Sequence, residues 1–259
     1  MVLISLNDWS NLVDFDLRAI SLRKITFDNY RLLIIGKALF RLYFNTALMT
    51  AIVSVVGAMF TVVGGYGMLR ASAKMRTIAI VIIAFAVAVP STVVIIPLFI
   101  EMYYLGLSGL PAVMLKGMLV SSGVIVAWQY FKRVPQGYFD SATIDGANSL
   151  QIIWHILIPI SGPLFAMTMI GQGTAFLGDY LWLSLNLIRE NSQTVIVAMT
   201  NMTITSNFNI GVLGFAGKNM RRVNIEMASG IVIFLPMLLI FLAGRKKLMD
   251  FKLEGGIKE

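Results

Sequence analysis

Few residues in this chain could do covalent chemistry. It has no cysteine, which excludes disulfides and thiolate metal sites. Its one histidine, His155, cannot build a histidine-rich metal cluster, and its neighbours place it on the polar face of an amphipathic helix. Two Gly-Lys pairs, Gly36-Lys37 and Gly217-Lys218, lack the rest of a phosphate-binding loop, so ATP hydrolysis by that route is excluded. Asp179 is the one carboxylate deep in an apolar run. A charge there costs about 2.5–3.5 kcal/mol on insertion scales, so Asp179 must face a polar path or pair with a neighbouring helix. The 16 methionines are read as packing residues of apolar helices.

The elements that position these residues follow from composition. Of 259 residues 58% are hydrophobic and 13% charged, with a mean hydropathy of +0.81. A soluble domain needs more polar surface than that. The apolar runs reach the roughly 20 residues that a helix needs to cross a bilayer. Lipid cannot satisfy backbone polar groups, so such runs must be helical. A β-barrel would show alternating polarity, and residues 78–89 show none. The chain is therefore expected to be an all-α integral membrane protein, a polytopic helical bundle. The net charge of +8 is read as headgroup anchoring and orientation, not as a nucleic-acid surface.

Five full spans are expected, at about 45–69, 77–100, 111–130, 159–188 and 227–243. Gly57, Gly64, Gly65 and Gly67 suit close helix packing in the first. Pro90 and Pro97 should bend the second. Residues 1–40 are expected to form an extramembrane segment with short helices, and 189–225 a long polar external loop with a basic cluster at Lys218, Arg221 and Arg222. The short loop 70–76 is basic and the loop 101–110 has no Lys or Arg. That asymmetry leans toward a cytoplasmic 70–76, which would put 134–159 and the Arg245-Lys246-Lys247 end inside as well.

Residues 140–159 are too polar to span. Gly146 can take the positive φ that ends a helix, Asn148 or Ser149 can cap the next, and Pro159 is expected to close it. Ile152, Ile153, Ile156 and Leu157 fall on one face of that second helix. Such an element suits docking into a groove of another protein, or else lying on the membrane surface.

This segment resembles the signature loop of ATP-binding-cassette (ABC) importer permeases: E-A-A, three residues, G, nine residues, I-x-L-P. Asp140, Ser141 and Ala142 stand for E-A-A, Gly146 for the glycine, and Ile156, Ile158 and Pro159 for I-x-L-P. Asp for Glu, Ser for Ala and Ile for Leu are the departures. The rest of the chain is similar to the carbohydrate-uptake, maltose-type permeases, in particular the second permease of the pair. Ile25–Tyr30, Phe44-Asn45-Thr46, Val89-Pro90 and Ile96-Pro97-Leu98 resemble its helix entries and proline-broken span. Gly178-Asp179-Tyr180-Leu181-Trp182 resembles its W-N-D-F-L-W motif with the first Trp and the Asn replaced, and residues 253–258 resemble its glycine-rich tail.

The resemblance implies a type I importer permease domain over 41–259, with a cytoplasmic coupling loop at 134–159 and six spans, the first of which is missing or truncated here except for residues 1–6. It implies a transport subunit and not an enzyme, in a prokaryotic plasma (inner) membrane. The implied partners are two ATP-binding subunits that bind the ATP and Mg, a second permease subunit, an extracytoplasmic substrate-binding protein and lipid, with no nucleic acid. The coupling residues are then Asp140, Ser141, Ala142, Asp145, Gly146, Ile156, Ile158 and Pro159. Hydrogen-bonding groups beside aromatic rings suit sugars, which makes Asn45, Gln172, Asp179, Tyr180 and Trp182 candidates for the translocation path. No metal or cofactor is implied for this chain. A permease for a different solute, such as an amino acid or polyamine, is the alternative within the class. An ion-coupled secondary transporter would need an inverted repeat and paired intramembrane carboxylates, and a plain membrane anchor would leave the loop spacing unexplained.

Overall fold

The computed structural model describes residues 2–6, 25–35, 39–119, 122–204, 224, 227–236, 238–239 and 242. In chain order its helices are α1 Val2–Ser5, α2 Asp28–Ile35, α3 Leu39–Arg70, α4 Ala73–Ala88, α5 Ser91–Tyr104, α6 Leu110–Met118, α7 Ser122–Phe131 and α8 Gly137–Ile144. Then follow α9 Ser149–Ile160, α10 Gly162–Gly178, α11 Tyr180–Asn186, α12 Val195–Ile204 and α13 Met227–Pro236. Among the described residues there is no β-strand.

Two runs are long and apolar enough to cross a membrane unaided, Phe40–Arg70 and Leu110–Phe131. Two further pairs reach that length only together, each bent sharply. Ala73–Ala88 and Ser91–Tyr104 meet at 100°, and Ser149–Ile160 and Gly162–Gly178 at 84°. The first bend lies at Pro90, as expected, because a proline inside a helix removes a donor and clashes with the preceding turn. Pro97 stays inside α5 without breaking it.

The 159–188 run is not one helix. It starts inside α9, turns at Ser161, and breaks again at Asp179, which has φ −85° and ψ 57° between α10 and α11. Sequence periodicity missed both breaks because the apolar run continues across them. The stretch read as a polar loop also contains a helix. Val195, Val197, Ala198 and Met199 of α12 are buried, because this apolar run, too short to span, packs into a core. The basic cluster Lys218–Arg222, the stop at 245–247 and the glycine-rich tail lie outside the described residues.

The chain divides into two compact units, Met1–Leu48 with Leu187–Leu239, and Met49–Asn186 with Ile240–Glu259. The core of the first gathers Leu33, Leu42, Val195, Met199, Ala228 and Val232. Three polar contacts fasten it. Tyr43 Oη donates to the Val232 carbonyl at 2.8 Å, Thr46 Oγ1 accepts the Val195 N–H at 2.9 Å, and Asn29 donates to the Ser5 carbonyl at 2.8 Å.

In the second unit α3 packs against α7 at very short range. A Cβ at Gly65 would lie 2.5 Å from the Ala127 Cβ, so only glycine permits that approach. Arg76 closes the α3 end. Its guanidinium donates to the carbonyls of Met68 at 3.0 Å and Ala71 at 2.9 Å and lies over the Trp128 ring. This satisfies carbonyls that a helix terminus leaves open. A core of Val62, Tyr66, Ala127, Phe131, Phe139, Ile152, Ile153, Leu157 and Leu164 joins these helices to α8, α9 and α10.

Candidate functional site: a docking helix pair and an intramembrane ion pair

The segment 137–160 is built as its residues direct. α8 ends at Asp145, and Gly146 follows with φ 78°. Asn148 then caps α9 reciprocally with Gln151. Its side chain accepts the Gln151 N–H at 2.9 Å, while the Gln151 side chain accepts the Asn148 N–H at 2.8 Å. Both cap candidates came from the sequence, and Asn148 is the one used. Pro159, expected to close the helix, instead sits within its final turn. The preceding turn, Ile153–Leu157, is a π turn in which the Ile158 N–H reaches the Ile153 carbonyl. Proline would otherwise press on the carbonyl four residues back, and a wider turn displaces that group.

The apolar stripe of α9 faces inward. Ile152, Ile153 and Leu157 are buried against Phe131, Phe139 and Leu164. A second apolar set, which sequence periodicity did not isolate, stays exposed: Tyr138, Ile144, Leu150 and Trp154, with Ile144 at 85%. Asp140, Ser141, Asp145, Gly146 and Pro159 are exposed beside them, and Ala142, Ile156 and Ile158 are half-buried. His155 is exposed and its Nδ1 lies 3.0 Å from the Gln151 carbonyl oxygen. No periodicity could have separated Leu150 and Trp154 from Ile153 and Leu157, because the four stand at i, i+3, i+4 and i+7 of an ideal helix, and the π turn at Ile153–Leu157 changes that register.

The path candidates separate into two groups. In the first unit, Asn45 donates to the carbonyls of Asn191 at 2.8 Å and Gln193 at 3.1 Å, so it holds the chain ahead of α12. In the second unit, Gln172, Asp179 and Trp182 all turn toward α6. Gln172 is buried and donates to the Gly117 carbonyl at 2.9 Å and the Met118 carbonyl at 3.3 Å. These are the last carbonyls of α6, left open by the extended Leu119. Seven residues on, Asp179 forms an ion pair with Lys116. The Lys116 ammonium also lies 5.1 Å from the centroid of the Trp182 ring, which is fully buried. Tyr180, next to Asp179, is half-buried. Lys116 was not singled out from the sequence, although it is a lone cation in the 111–130 run.

A helix pair with an exposed apolar set, joined to helices long and apolar enough to cross a membrane, fits a subunit of a membrane transport complex. Comparisons with known proteins agree. No family model matches the chain. It is 24% identical over 261 residues to a probable starch degradation products transport system permease protein, AmyC, of Thermoanaerobacterium thermosulfurigenes, covering 99% of this chain and 90% of the relative. It is 25% identical to the arabinooligosaccharides transport system permease protein AraQ of Bacillus subtilis, covering 90% and 79%. It is also 25% identical to the glucose import system permease protein GlcU of Saccharolobus solfataricus, covering 90% and 80%. A chain from the crystal structure of a bacterial ABC transporter involved in alginate import shares the fold, with a TM-score of 0.76, 22% identity, and coverage of 95% of this chain and 87% of that one. The class is therefore an integral membrane permease of the ABC importer type. Within it, the relatives are permease proteins of sugar and oligosaccharide transport systems, at 24–25% identity over 90% or more of this chain.

Proposed function

We propose that this chain forms half of the translocation path of an ABC importer for a sugar or oligosaccharide in a prokaryotic plasma membrane. A second permease subunit supplies the other half, a binding protein delivers the solute from outside, and two separate ATPase subunits bind ATP with Mg. Up to four spans fit the described helices when α4–α5 and α9–α10 each contribute one bent span, and the fifth is proposed to include the short apolar helix α13.

The observation that carries this reading is the construction of residues 137–160. The inner face of α9 is anchored in the core formed with α3, α7, α8 and α10 while its outer face presents bare apolar side chains next to Asp140 and Asp145. A force applied to that outer face must pass through Ile153 and Leu157 into α3, α7 and α10. Closure of the ATPases would thus rock the spans as rigid bodies.

The test is purification of the co-encoded subunits in lipid, followed by ATPase and uptake assays with sugar-loaded binding proteins. ATP-dependent uptake of a sugar supports the reading. Uptake that collapses with an ionophore but survives ATP depletion overturns it. The variant Gly146→Glu should insert normally and lose its ATPase subunits, and unchanged co-purification would remove the role assigned to this loop.

A further inference from the structure

Lys116 has no part in docking, and placing it within an apolar run is costly. It ends α6 two residues before that helix stops at Met118, and its partner Asp179 sits at the break between α10 and α11. Two interrupted helices thus meet through one ion pair. Interrupted backbone at membrane depth is tolerated where it is buried in protein or lines a water-filled cavity. The pair is not sealed: the side chains keep 22% and 32% exposure, which lipid could not solvate. Beside it, the buried Trp182 indole N–H has no hydrogen-bond partner. Its ring is closed off beneath the lysine and cannot stack on a solute.

We propose that the open side of the Lys116–Asp179 pair is a solute subsite in the path, and that its internal neutralisation selects neutral, hydroxyl-rich solutes against uronates. This rests on the sugar-importer reading above. A hydroxyl can donate to Asp179 and accept from Lys116 at once, so it exchanges with the pair without leaving either charge uncovered. A uronate carboxylate can engage Lys116 only by displacing Asp179 or by standing next to a like charge. Gln172 lies one helical step away but is occupied with the α6 carbonyls, so it positions α6 and does not itself contact solute.

The experiment uses the full complex with its ATPases and partner permease in nanodiscs, without binding protein. Equilibrium binding of radiolabelled maltotriose and trigalacturonate is measured. The wild type should prefer maltotriose. Asp179→Asn leaves the Lys116 charge uncovered and should shift the ratio toward trigalacturonate by about tenfold, the scale of one charge-assisted hydrogen bond. Lys116→Met with Asp179→Asn should weaken both and restore the neutral preference. A pair that merely pins helices would lower both affinities together and leave the ratio unmoved, which overturns the subsite. Should Asp179→Asn fail to assemble, the wild type decides: neutral preference that persists at high salt supports the proposal, and uronate preference or no binding of either sugar overturns it. Failure here with ATP-driven sugar uptake intact leaves the importer reading standing.

Discussion

Gly57 and Gly146 carry different constraints. At Gly57 the limit is space: a Cβ there would lie 1.7 Å from Gln172 Nε2. Gly57→Ala must therefore push the Gln172 amide off the two α6 carbonyls it caps. We expect a loss of about 1–3 kcal/mol, the cost of leaving buried carbonyls unpaired. Thermal unfolding of the purified complex measures it. Because both changes break the same contact, Gly57→Ala with Gln172→Ala should be little worse than Gln172→Ala alone. At Gly146 the limit is the backbone, since its surroundings are open but φ is 78°. Gly146→Ala should cost about 1–2 kcal/mol in left-handed strain, whereas Gly146→Asn, which tolerates that region, should retain more of the bound ATPase. Equal co-purification of the two variants would show that the turn does not need that conformation.

At the scale of the element, α9 has two faces with separable duties. Leu157 is fully buried and belongs to the core. Leu157→Ala should destabilise the subunit by about 2–5 kcal/mol through a cavity, seen as lower yield and earlier thermal unfolding. Trp154 and Leu150 are exposed, so Trp154→Glu and Leu150→Glu should leave unfolding unchanged and abolish ATPase co-elution on size exclusion. The opposite pattern would move the docking surface to a different element. The sequence made the helix, its glycine turn and its asparagine cap legible, because those are local effects. It did not reveal which apolar stripe faces inward. Periodicity puts Leu150, Ile153, Trp154 and Leu157 on one broad face, and only contact with Phe131, Phe139 and Leu164 assigns Ile153 and Leu157 to the core while Leu150 and Trp154 stay exposed.

At the scale of the molecule, orientation is open to a direct measurement. The chain has no cysteine, so single cysteines can be added without removing any. Tyr104→Cys, at the last residue of α5 in the 101–110 stretch without basic residues, should react with a membrane-impermeant maleimide in intact cells. Ile144→Cys should react only after permeabilisation. Both positions are exposed, so access depends on the side of the membrane. Reversed labelling would invert the topology, and no ATPase could then meet α8 and α9.

Hydropathy by itself determined that this chain lives in a membrane as helices, because lipid leaves the backbone no other partner. Gly146 and Asn148 marked a helix–turn–helix at 140–159, because turns and caps are written in neighbouring residues, while its reading as a docking segment rests on the resemblance. Tertiary structure alone decided where the apolar runs break and which charges meet. Lys116 and Asp179 stand 63 residues apart, and nothing local couples them until the ends of α6 and α10 are brought side by side. Asp179 in sequence was an isolated cost in an apolar run, and in the fold it is half of an ion pair at the junction of two interrupted helices.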